Sequence, residues 1–283
     1  MPIDYEAEYN NRARVPEYPA IFARWAADSA DYRAATTAAG RAELGLPYGG
    51  SARQTVDIFD AAEADDPPVA LFIHGGYWRA FEPQTFSFAA KGLNARNIAV
   101  AVAGYDLCPH VSMGQIVGQV RKCCLFLWER FGRRIRVFGH SAGGHLAACM
   151  LATDWRSLDP TAPVDLVPAA YSISGLFDLS PFVGLQMNQD LKLDEAEACA
   201  QSPVLWPAPA GRILDAVVGG AESAEYHRQS KLIVDEWANK GVLTRYGEIP
   251  GANHFTAIAP LADPGSGMVK RIAELCETAN ASV

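Results

Sequence analysis

Neither a metal-binding cluster nor a disulfide framework can be read in this sequence. Its six cysteines, Cys108, Cys123, Cys124, Cys149, Cys199 and Cys276, form no CxxC pair and mostly sit inside apolar segments. Buried free thiols are therefore expected, and no metal. An excess of positive charge is missing too. With 24 Lys and Arg against 32 Asp and Glu the formal net charge is −8, a field that repels phosphate backbones and argues against a nucleic-acid partner. No stretch approaches the roughly 18 apolar residues of a membrane span. The opening MPIDYEAEYNNRARVPEY is polar and acidic, whereas a secretory leader is basic and then apolar. A cytoplasmic protein with no cleaved leader and no membrane contact is expected. Internal repeats and low-complexity linkers are also absent. What remains is 283 residues, 49% hydrophobic and 20% charged, a globular composition that fits one α/β domain with a large core as well as two smaller domains; a single domain over 1–283 is expected.

From about residue 52 onward, apolar strand-like runs alternate with helix-like segments, which predicts a mostly parallel sheet with helices on both faces. Strands are predicted at 55–59, 69–73, 98–103, 135–138, 167–172, 213–218 and 242–248. Runs such as VALFIH and RIRVFGH are apolar without alternation, as in strands buried on both faces. Helices are predicted at 85–95, 111–130, 143–153, 224–239 and 268–278. Two regions fall outside the rhythm. Residues 1–48 read as a helical N-terminal extension, with Trp25 and Tyr32 able to pack on the body. Residues 179–209 read as a cap-like insertion, broken by Pro181, Pro203, Pro207 and Pro209 around a short helix at 194–200.

The chemistry is concentrated in three places. Gly139-His140-Ser141-Ala142-Gly143 is a GxSxG sequence between a predicted strand and an apolar helix. A serine at such a turn is strained and needs small residues two positions either side, and its hydroxyl then projects above the sheet. Ser141 is thus the candidate nucleophile. His74-Gly75-Gly76-Tyr77-Trp78 follows the strand VALFI, and its glycines let backbone N–H groups approach a ligand. Gly76 and Tyr77, with the N–H of Ala142, are expected to form an oxyanion hole, His74 and Gly75 supporting the loop.

A serine nucleophile needs a base and an orienting acid. In chain order these follow the serine, the histidine last. His254, in the loop after the last predicted strand, fits better than His227, which falls in a helical pattern, and His145 reads as packing. For the acid, Glu222 follows the penultimate strand and is preferred. Asp178 is the alternative, although its place suits bracing the start of the insertion. Trp78, Phe177 and Phe255 lie near these motifs as candidate substrate contacts, and Arg79 or Arg228 could meet a substrate carboxylate.

Taken together, HGGYW, GHSAGGHLA, SGLFDLSP, Ser202-Pro203, AEYHRQS, NHF and the N-terminal EYNNRARVP resemble the α/β-hydrolase superfamily, and within it the kynurenine formamidase (arylformamidase) branch with its neighbouring small esterases. The resemblance runs over most of the chain. It implies an α/β-hydrolase fold, Ser141 as nucleophile, His254 as base, Glu222 at the acid position, and no metal or organic cofactor. Formamidases of this kind commonly carry Asp where this chain has Glu222. The implied reaction is cleavage of a small amide or ester through an acyl-enzyme, first an N-formyl arylamine such as N-formylkynurenine. A carboxylesterase for small aryl or alkyl esters would use the same triad. A non-catalytic binding protein on the same fold predicts a lost triad member, and none is missing. A small-molecule substrate is the expected partner, and a homodimer the default assembly.

Overall fold

A computed structural model describes residues 3–61 and 66–278. Its centre is an eight-stranded sheet of β1 (Ala42–Pro47), β2 (Thr55–Phe59), β3 (Val69–Ile73), β4 (Ala99–Ala103), β5 (Ile135–His140), β6 (Ala169–Ile173), β7 (Ile213–Gly219) and β8 (Leu243–Ile249). The strand order is β1-β2-β4-β3-β5-β6-β7-β8. β2 pairs antiparallel with both β1 and β4, and every other neighbouring pair is parallel. This is the α/β-hydrolase architecture, with strands β2 to β8 lying within two residues of the predicted runs.

The unalternating apolar runs have the expected cause. β3 is buried along its whole length. Its Val69, Leu71 and Ile73 enter one core, while Ala70 and Phe72 enter another on the opposite face. The first core receives the helices Met113–Phe131, Ala142–Leu151 and Ala224–Ala238, and the second receives Tyr18–Ala38 and Gly267–Thr278. The Met113 helix starts at a reciprocal capping box between Ser112 and Gln115 and stops at Gly132, whose φ is 65°.

Three differences from the predicted pattern stand out. Residues 42–47 form an edge strand rather than helix. AELGLP carries little periodic signal of its own, and its extended form comes from pairing with β2, where the Gly45 N–H also meets Asp57 Oδ1 at 2.7 Å. The predicted helix at 85–95 is a 3₁₀ segment, Pro83–Ala90, followed by a single turn, Lys91–Asn94. The proline-rich region contains 3₁₀ turns at Ser180–Gly184 and Pro203–Leu205 and short helices at Asn188–Leu191 and Glu195–Ala200. The second of these is capped by Asp194, which accepts the Glu197 N–H at 2.7 Å. Five cysteines are buried and Cys199 is exposed. Among the described residues no helix is long and apolar enough to cross a membrane.

Three buried histidines sit in this framework. His74 Nδ1 donates to the Gly75 carbonyl at 2.7 Å, His140 Nε2 to the His254 carbonyl at 2.8 Å, and His145 Nε2 to the Gln201 carbonyl at 2.7 Å. Nε2 of His74 and Nδ1 of His145 face no partner, so a second proton there would be buried with no acceptor. Desolvation accordingly pushes His74 and His145 down to about 4, and His140 well below its usual value.

This packing has two measurable consequences. In chemical denaturation, stability should be full above about pH 6.5 and fall as pH drops toward 4, because the unfolded chain takes up protons that the folded histidines refuse. Each such group adds a slope of up to about 1.4 kcal/mol per pH unit. His145→Gln should make the decline shallower, and an unchanged slope would count against the assignment. Separately, a methyl on Gly143 would overlap the Ile73 carbonyl of β3, whereas Gly118 has open space around it. Gly143→Ala should lose roughly 3 kcal/mol or more by overpacking. Gly118→Ala, in mid-helix, should gain about 0.5–1 kcal/mol, both being read from denaturant midpoints.

Candidate active site

β5 ends at His140 and a helix begins at Ala142, so Ser141 alone makes the turn between them. Its backbone sits at φ 56°, ψ −119°, a left-handed conformation that costs an L-residue about 1–3 kcal/mol. Neighbouring strands hold it there, the Ser141 N–H donating to the Ile173 carbonyl at 2.8 Å. Glycines at 139 and 143 are required because a methyl on Gly139 would strike the Gly143 carbonyl. The GxSxG spacing is therefore a record of backbone crowding.

His254 follows β8, and Glu222 follows β7. His254 Nε2 stands 3.1 Å from Ser141 Oγ, and His254 Nδ1 stands 2.6 Å from Glu222 Oε2. Ser141 is 2% exposed and His254 4%, so the chain of contacts is shielded from water. The other carboxylate oxygen, Oε1, accepts the Gly219 N–H at 2.7 Å and the Ser174 hydroxyl. Asp178 lies elsewhere. It accepts the N–H and hydroxyl of Ser180 at 3.1 and 2.6 Å and pairs with Arg228 at 3.2 Å, bracing the start of the proline-rich segment. His227 meets the Tyr246 hydroxyl at 3.0 Å, away from Ser141.

Two side chains at this centre were not singled out from sequence. Ser174, itself at φ 54°, tethers Glu222, and His140 holds the backbone of His254. Both act across sequence separations of 48 and 114 residues, and neither has a motif of its own beyond the strand ends that carry it.

The loop 74–78 passes beside Ser141. A Cβ on Gly75 would lie 2.8 Å from the His140 carbonyl oxygen and 3.0 Å from Ser141 Cβ, so only glycine permits this approach. His74 is clamped between Tyr105, with ring centroids 4.3 Å apart, and Phe86 at 5.6 Å. Gly76, Tyr77 and Trp78 all have positive φ, at 109°, 50° and 55°. Among the described residues the amides of Gly76, Tyr77 and Ala142 donate to no other group, which leaves them available to a ligand oxygen.

A cavity of about 340 Å³ opens onto Ser141 and His254. Phe22, Trp25, Phe81, Phe86 and Phe255 form an interlocked aromatic wall along it, with Phe22 and Phe255 centroids 4.9 Å apart. The rim is polar, with Arg12 and the Arg79–Asp190 pair at 2.5 Å. Of the aromatic residues proposed from sequence, Phe255 lines the cavity. Trp78 and Phe177 do not, and this corrects the sequence-based expectation. Both are fully buried in the first core: the turn after β3 sends the Trp78 ring edge-on against His145 at 5.0 Å, and nearness to a motif did not determine direction. Arg228 is occupied by Glu225 and Asp178. Much of the cavity wall comes from the N-terminal residues Glu6 to Trp25. From sequence, this segment is expected only as a helical extension whose Trp25 could pack on the body. No cluster of three or more metal-ligating side chains occurs among the described residues.

The chain is 30% identical to kynurenine formamidase of Salmo salar over 229 residues, 78% of this chain and 77% of that one. It is 27% identical to kynurenine formamidase of Danio rerio over 240 residues, 82% and 81% of the two chains. A solved structure of a candidate thioesterase from Silicibacter sp. TM1040 superposes with a TM-score of 0.83 at 32% identity, covering 96% of this chain and all of that one. The sequence profile of the alpha/beta hydrolase fold matches residues 70–257, a span that runs from β3 past His254 and takes in the loop 74–78, the turn at Ser141 and Glu222. The chain belongs to the alpha/beta hydrolase fold family and is an enzyme of that type.

Proposed function

We propose that the protein is a serine hydrolase that cleaves a small N-formyl arylamine of the N-formylkynurenine type. The observation that carries the reading is the unbroken contact chain Glu222–His254–Ser141 at the floor of the cavity. The Ser141 hydroxyl is a weak nucleophile until His254 Nε2 takes its proton as Oγ adds to the carbonyl carbon. Glu222 keeps Nδ1 protonated and stabilises the imidazolium. The amides of Gly76, Tyr77 and Ala142 receive the negative oxygen. His254 then hands its proton to the departing amine nitrogen as the C–N bond breaks. Water, deprotonated by the same imidazole, attacks the acyl-enzyme and releases formate and free serine.

Three features support an aryl amide with a charged tail. The cavity opens directly onto Ser141 and His254, so a carbonyl carrying an acyl group as small as formyl can reach the hydroxyl. The aromatic wall suits a planar leaving group, and the Arg12, Arg79 and Asp190 rim suits an amino-acid tail. The formamidase relatives point the same way. Hydrolysis of small esters is the second reading, supported by the similarity to the candidate thioesterase. It uses the same groups on a better leaving group.

Two measurements test these readings. Ser141→Ala should remove turnover while the melting temperature stays, and Glu222→Gln should lower kcat by roughly 10³- to 10⁴-fold by favouring the wrong imidazole tautomer. Full activity in either variant defeats the triad. Assayed side by side, N-formyl-L-kynurenine should exceed p-nitrophenyl acetate in kcat/KM. If only the activated ester turns over, the triad stands and the formamidase reading gives way to the esterase one.

A further inference from the structure

Two consecutive non-glycine residues in the oxyanion loop, Tyr77 and Trp78, are left-handed, and something must hold them there. The Tyr77 hydroxyl lies 2.7 Å from the Tyr9 carbonyl, 2.6 Å from the Tyr226 hydroxyl and 2.9 Å from Asn11 Nδ2. Asn11 Nδ2 also lies 2.8 Å from the Tyr226 hydroxyl. Counting protons fixes every direction in this cluster. The Tyr9 carbonyl can only accept, so Tyr77 spends its single proton there. Tyr226 must then donate to Tyr77, and the two hydrogens of Asn11 go one to each phenol oxygen. Both lone pairs on the Tyr77 oxygen are used and no donor is left over.

The node joins three separate parts of the molecule. Asn11 and Tyr9 belong to the N-terminal segment, which is itself tied down because the Tyr9 hydroxyl donates to Glu225 at 2.8 Å and accepts from Gln229 at 2.9 Å. Tyr77 belongs to the oxyanion loop. Tyr226 lies with its ring 4.4 Å from that of His254. Burial raises the phenol pKa of both Tyr77 and Tyr226, so both keep the protons on which the directions depend.

We infer that Asn11 and the Tyr77 hydroxyl are positioning residues that hold the left-handed oxyanion turn, and through Tyr226 the face of His254, in the geometry the transition state needs. The inference rests on the serine-hydrolase reading above, and it accounts for the EYNNR string, since Tyr9 and Asn11 lock the loop although neither takes part in the proton transfers.

The test uses the full chain with Tyr77→Phe, Asn11→Leu and the double variant, and with Ser141→Ala as reference, assayed for kcat and KM on p-nitrophenyl acetate and melted in parallel. Each single variant should lose roughly tenfold to a hundredfold in kcat, less than the ~10²–10³ of deleting an oxyanion donor outright. KM should move by less than about threefold, since a group acting only in the transition state leaves ground-state binding alone. The double variant should be no worse than the weaker single one, because both act through one node. Unchanged kcat in folded variants, while Ser141→Ala is inactive, overturns the inference and leaves the hydrolase reading intact. A rise in KM with kcat unchanged also overturns it, by making the node part of substrate binding. Activity surviving in Ser141→Ala overturns both. Tyr77→Phe removes one oxygen from a packed ring, so it carries the test alone if Asn11→Leu does not fold.

Discussion

The turn at Ser141 is the constraint on which the rest of the site depends. A left-handed serine between a strand and a helix is tolerated only if the helix can start almost in contact with the strand, and that contact dictates glycine at 139 and 143. Once the helix is seated, Gly143 presses on the Ile73 carbonyl at the end of β3, so the position of the loop 74–78 is set by the same crowding. Ser141 and the loop beside it are thus placed by one steric arrangement. They cannot drift apart without unpacking a helix whose ten residues are all buried.

The acid side of the site is organised by hydrogen bonding rather than sterics. A buried carboxylate is expensive unless its lone pairs are filled, and Glu222 fills them with the Gly219 N–H, the Ser174 hydroxyl and the His254 Nδ1 proton. Because one oxygen is anchored to the end of β7 and the tip of β6, the other is left in a fixed place for the imidazole. His140 contributes from the far side by holding the His254 backbone, so the imidazole is restrained at both its ring and its main chain.

Legibility from sequence followed the same physical division. Ser141, Glu222 and His254 could be proposed together because each lies just past the end of a strand whose apolar run is itself readable, and the fold brings their side chains into contact. The parallel sheet was readable for the same reason: strands such as VALFI feed cores on both faces. β1 escaped because its extended form is imposed by β2. Ser174, His140 and Asn11 escaped because their roles depend on contacts 48 to 215 residues away in sequence, which no local pattern encodes. Trp78 and Phe177 misled for the converse reason. They adjoin functional segments, yet the turn geometry directs them into the core.

The division also bears on how such an enzyme acquires its substrate. The family profile spans residues 70–257, which holds Ser141, Glu222 and His254, but Arg12, Phe22 and Trp25 of the cavity wall lie before it. An N-terminal segment that shapes the pocket must be fixed as firmly as the chemistry beneath it, since a loose wall would admit water and a loose donor would miss the oxyanion. The same N-terminal segment meets the Tyr77 hydroxyl through the Asn11 amide and the Tyr9 carbonyl. Replacing the N-terminal segment would then remove the partners of the Tyr77 hydroxyl as well, so in this chain the cavity wall and the loop 74–78 are physically linked.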